Sequence, residues 1–267
     1  MHYGISTLIE FDSIEKSAEF ANRLGLSFVE ISMDLFSNQL HLLDRDELIK
    51  IKEKYGVFFT LHLSAFLNIS EYNLLVRNAW LESVKQTIYF AKATDIKIIN
   101  MHLNKSDYFT LPEGKVYLYE KYEDDYLKSI RDFVKLCEDE IGDSKITITI
   151  ENTGGFASYH KKALKILLES EVFGLCYDLG HDYKCEKPDE EFYFNNKEKL
   201  YHIHFHDSTK DSDHLPLGEG ENNLRKYLYL ANELSCTVVL EIKTKEGIEK
   251  SVNWLLNTPL PINTQEV

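Results

Sequence analysis

The stretch YHIHFHDSTKDSDHLPLGEG, residues 201–220, sets four histidines, several carboxylates and a glycine-bounded loop side by side. His202, His204 and His206 alternate with Ile203 and Phe205, so on a strand the three imidazoles share one face and the apolar pair the other. Imidazoles facing a protein interior need hydrogen-bond partners or a metal ion, because each unpaired buried polar group costs about 1–3 kcal/mol. Residues 222–235, NNLRKYLYLANELS, follow with helical periodicity and complete a strand, loop and helix.

The same unit recurs in both directions along the chain. YGISTLI (3–9) precedes SIEKSAEFANRLG (13–25), where Ser13 caps a helix with apolar positions at Ile14, Ala18, Ala21 and Leu24 and a glycine stop. FVEISM (28–33) leads to DRDELIKIKEKYG (44–56), VFFTLHL (57–63) to a long helix around 74–94, and IKIINMHL (96–103) to DDYLKSIRDFVKLCEDEIG (124–142). KITITIEN (145–152) is followed by HKKALKILLES (160–170), FGLCYDLGH (173–181) by PDEEFYFNNKEK (188–199), and CTVVLEIK (236–243) by EGIEKSVNWLLN (246–257). Eight such units in 267 residues predict an α/β fold, a single (β/α)8 TIM barrel over residues 1–257, rather than an open doubly wound sheet. Residues 258–267, TPLPINTQEV, carry two prolines and no apolar period and read as a C-terminal surface tail. The tyrosine-rich insert at 104–122 is too long for a plain connection and reads as a lid.

Thirty basic against 44 acidic residues give a formal net charge of −14, which argues against a broad electrostatic grip on nucleic acid or an anionic membrane. Cys137, Cys176, Cys185 and Cys236 lack CxxC spacing, so neither a disulfide framework nor a thiolate zinc site is expected. No apolar segment approaches the ~20 residues that span a bilayer, and the expected location is the cytoplasm.

In a parallel barrel, chemistry gathers at the carboxyl ends of the strands. His62 ends the third predicted strand, His102 the fourth, Glu151 the fifth and Asp178 the sixth, with His181 just beyond; His204 lies on the seventh, His214 in its loop, and Glu241 ends the eighth. One strand-end histidine is more often structural than catalytic, but six consecutive strands ending in imidazole or carboxylate are hard to explain by packing. That donor mix suits a divalent metal, zinc or manganese first, with cobalt, iron or magnesium also compatible.

LHLSAFLNIS (61–70), INMHLN (99–104), ITIENTGG (148–155), CYDLGHD (176–182), HFHDS (204–208), DHLPLGEG (213–220) and VVLEIKT (238–244) together resemble the xylose isomerase-like TIM barrel superfamily, which includes sugar isomerases, epimerases and endonuclease IV. The resemblance spans almost the whole chain. It implies that Glu151, Asp178, His204 and Glu241 bind the shared metal. The endonuclease pattern further implies a site at His62 and His102 bridged by Glu151, and another at His181 and His214, although Ser212 stands where that pattern has an aspartate, with Asp211 and Asp213 on either side.

Two chemistries follow from the resemblance. A divalent-metal-dependent isomerase or epimerase of a sugar or sugar phosphate moves a proton beside a carbonyl, which needs a polarising cation and two acid/base groups. Glu151 and Glu241 are expected in that role, with His181 touching a sugar oxygen. The seventh-loop arginine of ketose epimerases and the lysine beside the fifth-strand glutamate of xylose isomerases proper are both missing. The alternative is an endonuclease IV-like zinc phosphodiesterase acting on abasic DNA, against which stand the scarcity of rim cations and Ala65 in the place of an aromatic, with Phe66 beside it. Of partners, a small sugar is expected over nucleic acid. Gly154, Gly155, Gly218 and Gly220 offer backbone pockets for a phosphate, and Tyr108, Phe109, Phe156 and Tyr183 offer rings to stack on a sugar.

Overall fold

The computed structural model describes residues 1–258. Eight strands close a parallel barrel: β1 (His2–Ser6), β2 (Phe28–Ser32), β3 (Phe58–His62), β4 (Ile98–His102), β7 (Thr147–Glu151), β8 (Phe173–Asp178), β9 (Leu200–Phe205) and β10 (Thr237–Leu240). The pair β5 (Tyr108–Leu111) and β6 (Gly114–Tyr117) forms a separate antiparallel hairpin. Around the barrel lie α1 (Ile14–Arg23), α2 (Arg45–Tyr55), α3 (Leu74–Thr94), α4 (Leu118–Lys121), α5 (Glu123–Ile141), α6 (Ser158–Leu168), α7 (Leu179–Lys184), α8 (Glu190–Asn195), α9 (Leu224–Leu234) and α10 (Lys245–Leu256). The predicted barrel is the observed one. Apart from Thr258, the expected tail lies outside the described residues.

Local chemistry sets the helix ends. Ser13 accepts from Lys16 N at the start of α1, Asp44 from Glu47 N at α2, and Thr244 from Gly247 N at α10, each satisfying a donor the first turn leaves free. Gly56 closes α2 in the left-handed region, φ 65°. Along the strands, alternate residues divide between two environments. Ile31, Leu61, Ile99, Ile150, Ile203 and Leu240 are buried in the apolar core. The other set, including Glu30, Thr60, Asn100, Thr149, His202 and His204, is equally buried but polar. Hydrogen bonds from β9 to β2 cross the barrel, since His202 and His204 both reach Glu30, so this polar set fills its interior. A TIM barrel ordinarily fills that space with branched apolar residues. Here the filling is a bonded polar layer beneath the site.

Three boundaries depart from expectation. β1 stops at Ser6, and Thr7, Leu8 and Ile9, expected within the strand, turn onto the rim. The sixth strand ends at Asp178 as expected, but that carboxylate accepts the His181 amide at 2.7 Å and starts α7 at once, where the run 173–181 announces no helix. The predicted helix over 188–199 is α8 followed by a short 3-10 turn at Lys197–Lys199. The insert at 104–122 folds as the β5–β6 hairpin and α4, and it contributes no residue to the central cavity.

The loops at the carboxyl end are tied in a ring. Asn38 Nδ2 donates to Thr7 Oγ1, Ser64 Oγ to Asp34, Asn104 Nδ2 to the Ala65 carbonyl and His160 Nε2 to the Asn104 carbonyl. Phe156 N donates to Asp189, Lys184 Nζ to Asp213, Leu217 N to Ser251 and Lys245 N to Glu10. Each loop is thereby joined to a loop or helix of the next unit around the barrel.

Candidate metal centre

Glu151, Asp178 and Glu241, at or just after the ends of β7, β8 and β10, converge on His204 of β9. One donor atom from each of the four lies within 4.8 Å of all the others. His204 Nδ1 is 3.1 Å from Glu241 Oε2, 3.3 Å from Glu151 Oε1 and 4.0 Å from Asp178 Oδ2. Its other nitrogen, Nε2, is 3.0 Å from Glu30 Oε1. With Nε2 carrying the proton toward Glu30, the Nδ1 lone pair is left aimed at three carboxylates. His204 Nδ1 and Glu241 Oε2 are buried with no hydrogen-bond partner. Two orphaned atoms within a set of four imidazole and carboxylate donors fit a divalent cation among them.

The cost of holding so many charges together shows in their titration. Burial opposes ionisation of Glu30, but the imidazoles of His204 and His202 outweigh it and keep its carboxyl well below the usual range. Burial likewise opposes ionisation of Glu151 and Glu241, and without an ion a protonated His204 overcomes it in both.

His62 and His102 close on the other oxygen of Glu151, with their Nε2 atoms 3.1 Å and 3.4 Å from Oε2. His62 Nδ1 donates to the Leu63 carbonyl at 2.7 Å, so Nε2 meets the carboxylate without a proton of its own unless the ring is doubly protonated. Burial pushes His62 toward neutrality, but the hydrogen bond and charge of Glu151 win and raise its pKa to about 9. Asn100 Nδ2 binds the same Oε2 from below. His181 on α7 and His214 in the loop after β9 lie with ring centroids 5.1 Å apart and Asp213 faces both, 3.9 Å from His181 Nε2 and 3.3 Å from His214 Nδ1. Asp213, rather than Ser212, faces the two rings, and Ser212 sits in a turn bonded to Thr209.

Several contributors are not apparent from sequence. Glu30 is one. Asn152 is another, clamping the Asp178 backbone with Nδ2 to its carbonyl and Oδ1 to its amide, at 2.8 and 2.9 Å. His206, expected on a shared face with His202 and His204, has neither nitrogen free for a ligand. Its Nε2 donates to Asp178 at 3.0 Å and its Nδ1 accepts from the His214 amide at 2.8 Å. Gly180 leaves room for that ring, since a Cβ there would stand 2.0 Å from His206 Cε1. The Cys176 thiol, pushed far up by burial, lies beside His202 and His204, but both His202 nitrogens are engaged by Thr237 and Glu30. Lys243 Nζ, 2.7 Å from Glu241 Oε1, places a cation at the centre that the spacing of LEIKT does not announce.

The centre floors a cavity of about 370 Å3, walled by Leu8, Ile9 and Leu35 on one side and by His181 and His214 on the other. The expected aromatic platform is not in this wall. Tyr108 and Phe109 are on the hairpin, Phe156 is packed against Phe192 and Tyr193, and the Tyr183 hydroxyl is bonded to Glu221. Gly218 and Gly220, expected to cradle a phosphate, turn their amides on Asp207 instead. Gly154 and Gly155 have φ of 129° and 91° and serve the turn before α6.

The profile of the xylose isomerase-like TIM barrel family matches residues 18–258. The chain belongs to this family. Among its relatives in sequence are two uncharacterised proteins of Methanocaldococcus jannaschii. One is 26% identical, with 92% of this chain and 93% of the relative aligned; the other is 25% identical, over 92% and 84%. In structure this xylose isomerase-like barrel resembles a D-tagatose 3-epimerase-like protein, with a TM-score of 0.76 and 23% identity over 96% of each chain. It also resembles the Escherichia coli 3-keto-D-glucoside 4-epimerase YcjR, with a TM-score of 0.74 and 15% identity over 97% and 100% of the chains. A third likeness is to the IOLI protein with a bound zinc atom, with a TM-score of 0.73 and 15% identity over 96% and 97%. The described residues contain no helix long and apolar enough to cross a membrane.

Proposed function

We propose that this chain is a divalent-metal-dependent isomerase or epimerase that moves a proton on a carbon next to the carbonyl of a sugar. The observation that carries the reading is the pair Glu151 and Glu241, which face one another across His204 Nδ1 with one carboxylate oxygen each turned into the centre. Glu151, Asp178, His204 and Glu241 would hold the ion, which polarises the carbonyl when bound and makes the neighbouring C–H acidic. One glutamate takes the proton from carbon, leaving an enediolate, and the other returns a proton to the opposite face or the neighbouring carbon. His62, His102 and Asn100 hold the outer oxygen of Glu151, while Lys243 holds Oε1 of Glu241, so each base is oriented before substrate enters. His181, on the cavity wall, would meet a sugar hydroxyl. The epimerase names among the structural likenesses agree with this reading.

The test is solvent exchange. Protein loaded with manganese or zinc is incubated with D-tagatose, D-psicose and D-fructose in heavy water, and NMR follows deuterium at the carbons flanking the carbonyl. Incorporation that vanishes in Glu151→Gln and Glu241→Gln, with folding intact, is expected. Incorporation at the wild-type rate in either variant removes that glutamate from the mechanism.

The cluster of His181, His214 and Asp213, together with His62 and His102 on Glu151, favours a second reading as a multi-zinc phosphodiesterase of the endonuclease IV kind. Elemental analysis separates the two, with one ion per chain expected for the isomerase. Three ions per chain, with incision of a duplex carrying an abasic site, would promote the hydrolase.

A further inference from the structure

Barrels of this architecture bind phosphate at the loops after the seventh and eighth barrel strands, where backbone amides and a helix N-terminus converge. Those strands are β9 and β10 here, and both loops are already filled. The Asp207 carboxylate, 1% exposed, receives four backbone N–H groups: Ser208 at 2.9 Å, Gly218 at 3.0 Å, Gly220 at 2.9 Å and Asn222 at 3.0 Å. A Cβ on Gly220 would stand 2.4 Å from Asp207 Oδ1, so the loop is wrapped directly onto that carboxylate. Converging amides make a nest for an anion, and this nest holds the chain's own. After β10, the Lys245 amide is taken by Glu10 and the Gly247 amide by Thr244. At the glycine loop after β7, the Phe156 amide meets both oxygens of Asp189.

The cavity itself repeats the pattern. Lys243 supplies its only lysine or arginine among the described residues, and that ammonium is committed to Glu241. Glu30, Glu151 and Glu241 line the cavity, Asp178 lies beneath them and Asp34 stands at the rim. Beyond Lys243 the described residues of the cavity offer a phosphate dianion no ammonium or guanidinium, and the ester would bring two further negative charges beside Glu30, Glu151, Asp178 and Glu241.

We propose that the substrate is an uncharged sugar and that Asp207, holding the barrel's phosphate position, is the residue that fixes this specificity. The inference rests on the isomerase reading for its substrate class but is tested by binding. D-fructose and its terminal phosphate ester are titrated calorimetrically into the metal-loaded protein, and inorganic phosphate is followed by phosphorus NMR with the metal-free protein and with Asp207→Ala. The expected results are a preference of about tenfold or more for the free ketose, no phosphate binding by the wild type at millimolar concentration, and phosphate binding gained in Asp207→Ala. A wild type that binds the ester as tightly as the ketose or tighter overturns the proposal, as does a folded Asp207→Ala that binds no phosphate. If that variant does not fold, the wild-type titrations decide. Absence of exchange on every ketose would sink the isomerase reading without touching the phosphate measurements, whereas exchange on the ester in preference to the ketose would sink this inference and spare the reading.

Discussion

Glu30 accepts hydrogen bonds from both His204 and His202, with Thr60 adding a third at 3.3 Å. Both its oxygens are therefore used as acceptors, and the arrangement decides which nitrogen of His204 carries the proton. Glutamine at this position would turn an NH2 toward one of the imidazole N–H groups, either flipping the tautomer of His204 or leaving a buried donor unpaired. Glu30→Gln is accordingly expected to weaken metal binding by about 10–100-fold with the barrel intact. Titration of manganese or zinc into the stripped variant checks this, and unchanged affinity would remove Glu30 from the centre's support. In FVEISM a lone acid among apolar residues gives no sign of its partner, which lies on the far side of the barrel and more than half the chain away. The four candidate donors that the structure brings together, His204 with Glu151, Asp178 and Glu241, were legible because each ends or nearly ends a strand. What their neighbours do depends on pairings across the interior, and those have no period in the sequence.

The N-terminus of α6 shows how an element can carry a pH response. His160 is buried at its first turn, accepting the Ala157 amide on Nδ1 at 3.2 Å and donating from Nε2 to the Asn104 carbonyl at 3.1 Å. That pattern requires the neutral ring, and burial lowers its pKa to about 4 from the model-peptide value of 6.5. Above 6.5 the ring is neutral in both folded and unfolded chains and pH has no effect through it. As pH falls from 6.5 toward 4 the unfolded chain takes up a proton that the native state refuses, so stability is lost, by about 3 kcal/mol in all. In His160→Gln, whose carbonyl oxygen can accept the same amide, the melting temperature should fall less steeply over that window than in the wild type. Parallel curves would sink the argument. At this scale the sequence does not announce α7, because only the bond of the Asp178 carboxylate to the His181 amide turns LGHDYK into a helix.

For the whole molecule, the order of the eight barrel strands was readable because each outer apolar set alternates with an inner polar one, as in KITITIEN, and each unit ends in turn chemistry. The hairpin at 108–117 was not, since most of its residues are exposed and the pairing of its two strands gives no apolar period. Four carboxylates gathered beneath one cavity make the metal-free barrel self-repelling, so a divalent ion should stabilise it by mass action. At a hundredfold excess over its dissociation constant the gain is about 2.7 kcal/mol, or about 5–10 °C in melting temperature. Chelation should reverse the shift, and a melting point indifferent to manganese, zinc and cobalt would count against the centre. The ring of bonds joining the rim loops has a further consequence, for susceptibility to proteases. Cleavage requires a segment to unfold locally into an extended form, and every tied loop must first break bonds to two neighbours. The β5–β6 hairpin stands apart from the ring. Limited digestion with chymotrypsin should therefore open the chain first near Tyr108 or Phe109, leaving two fragments associated as a barrel with its centre undamaged.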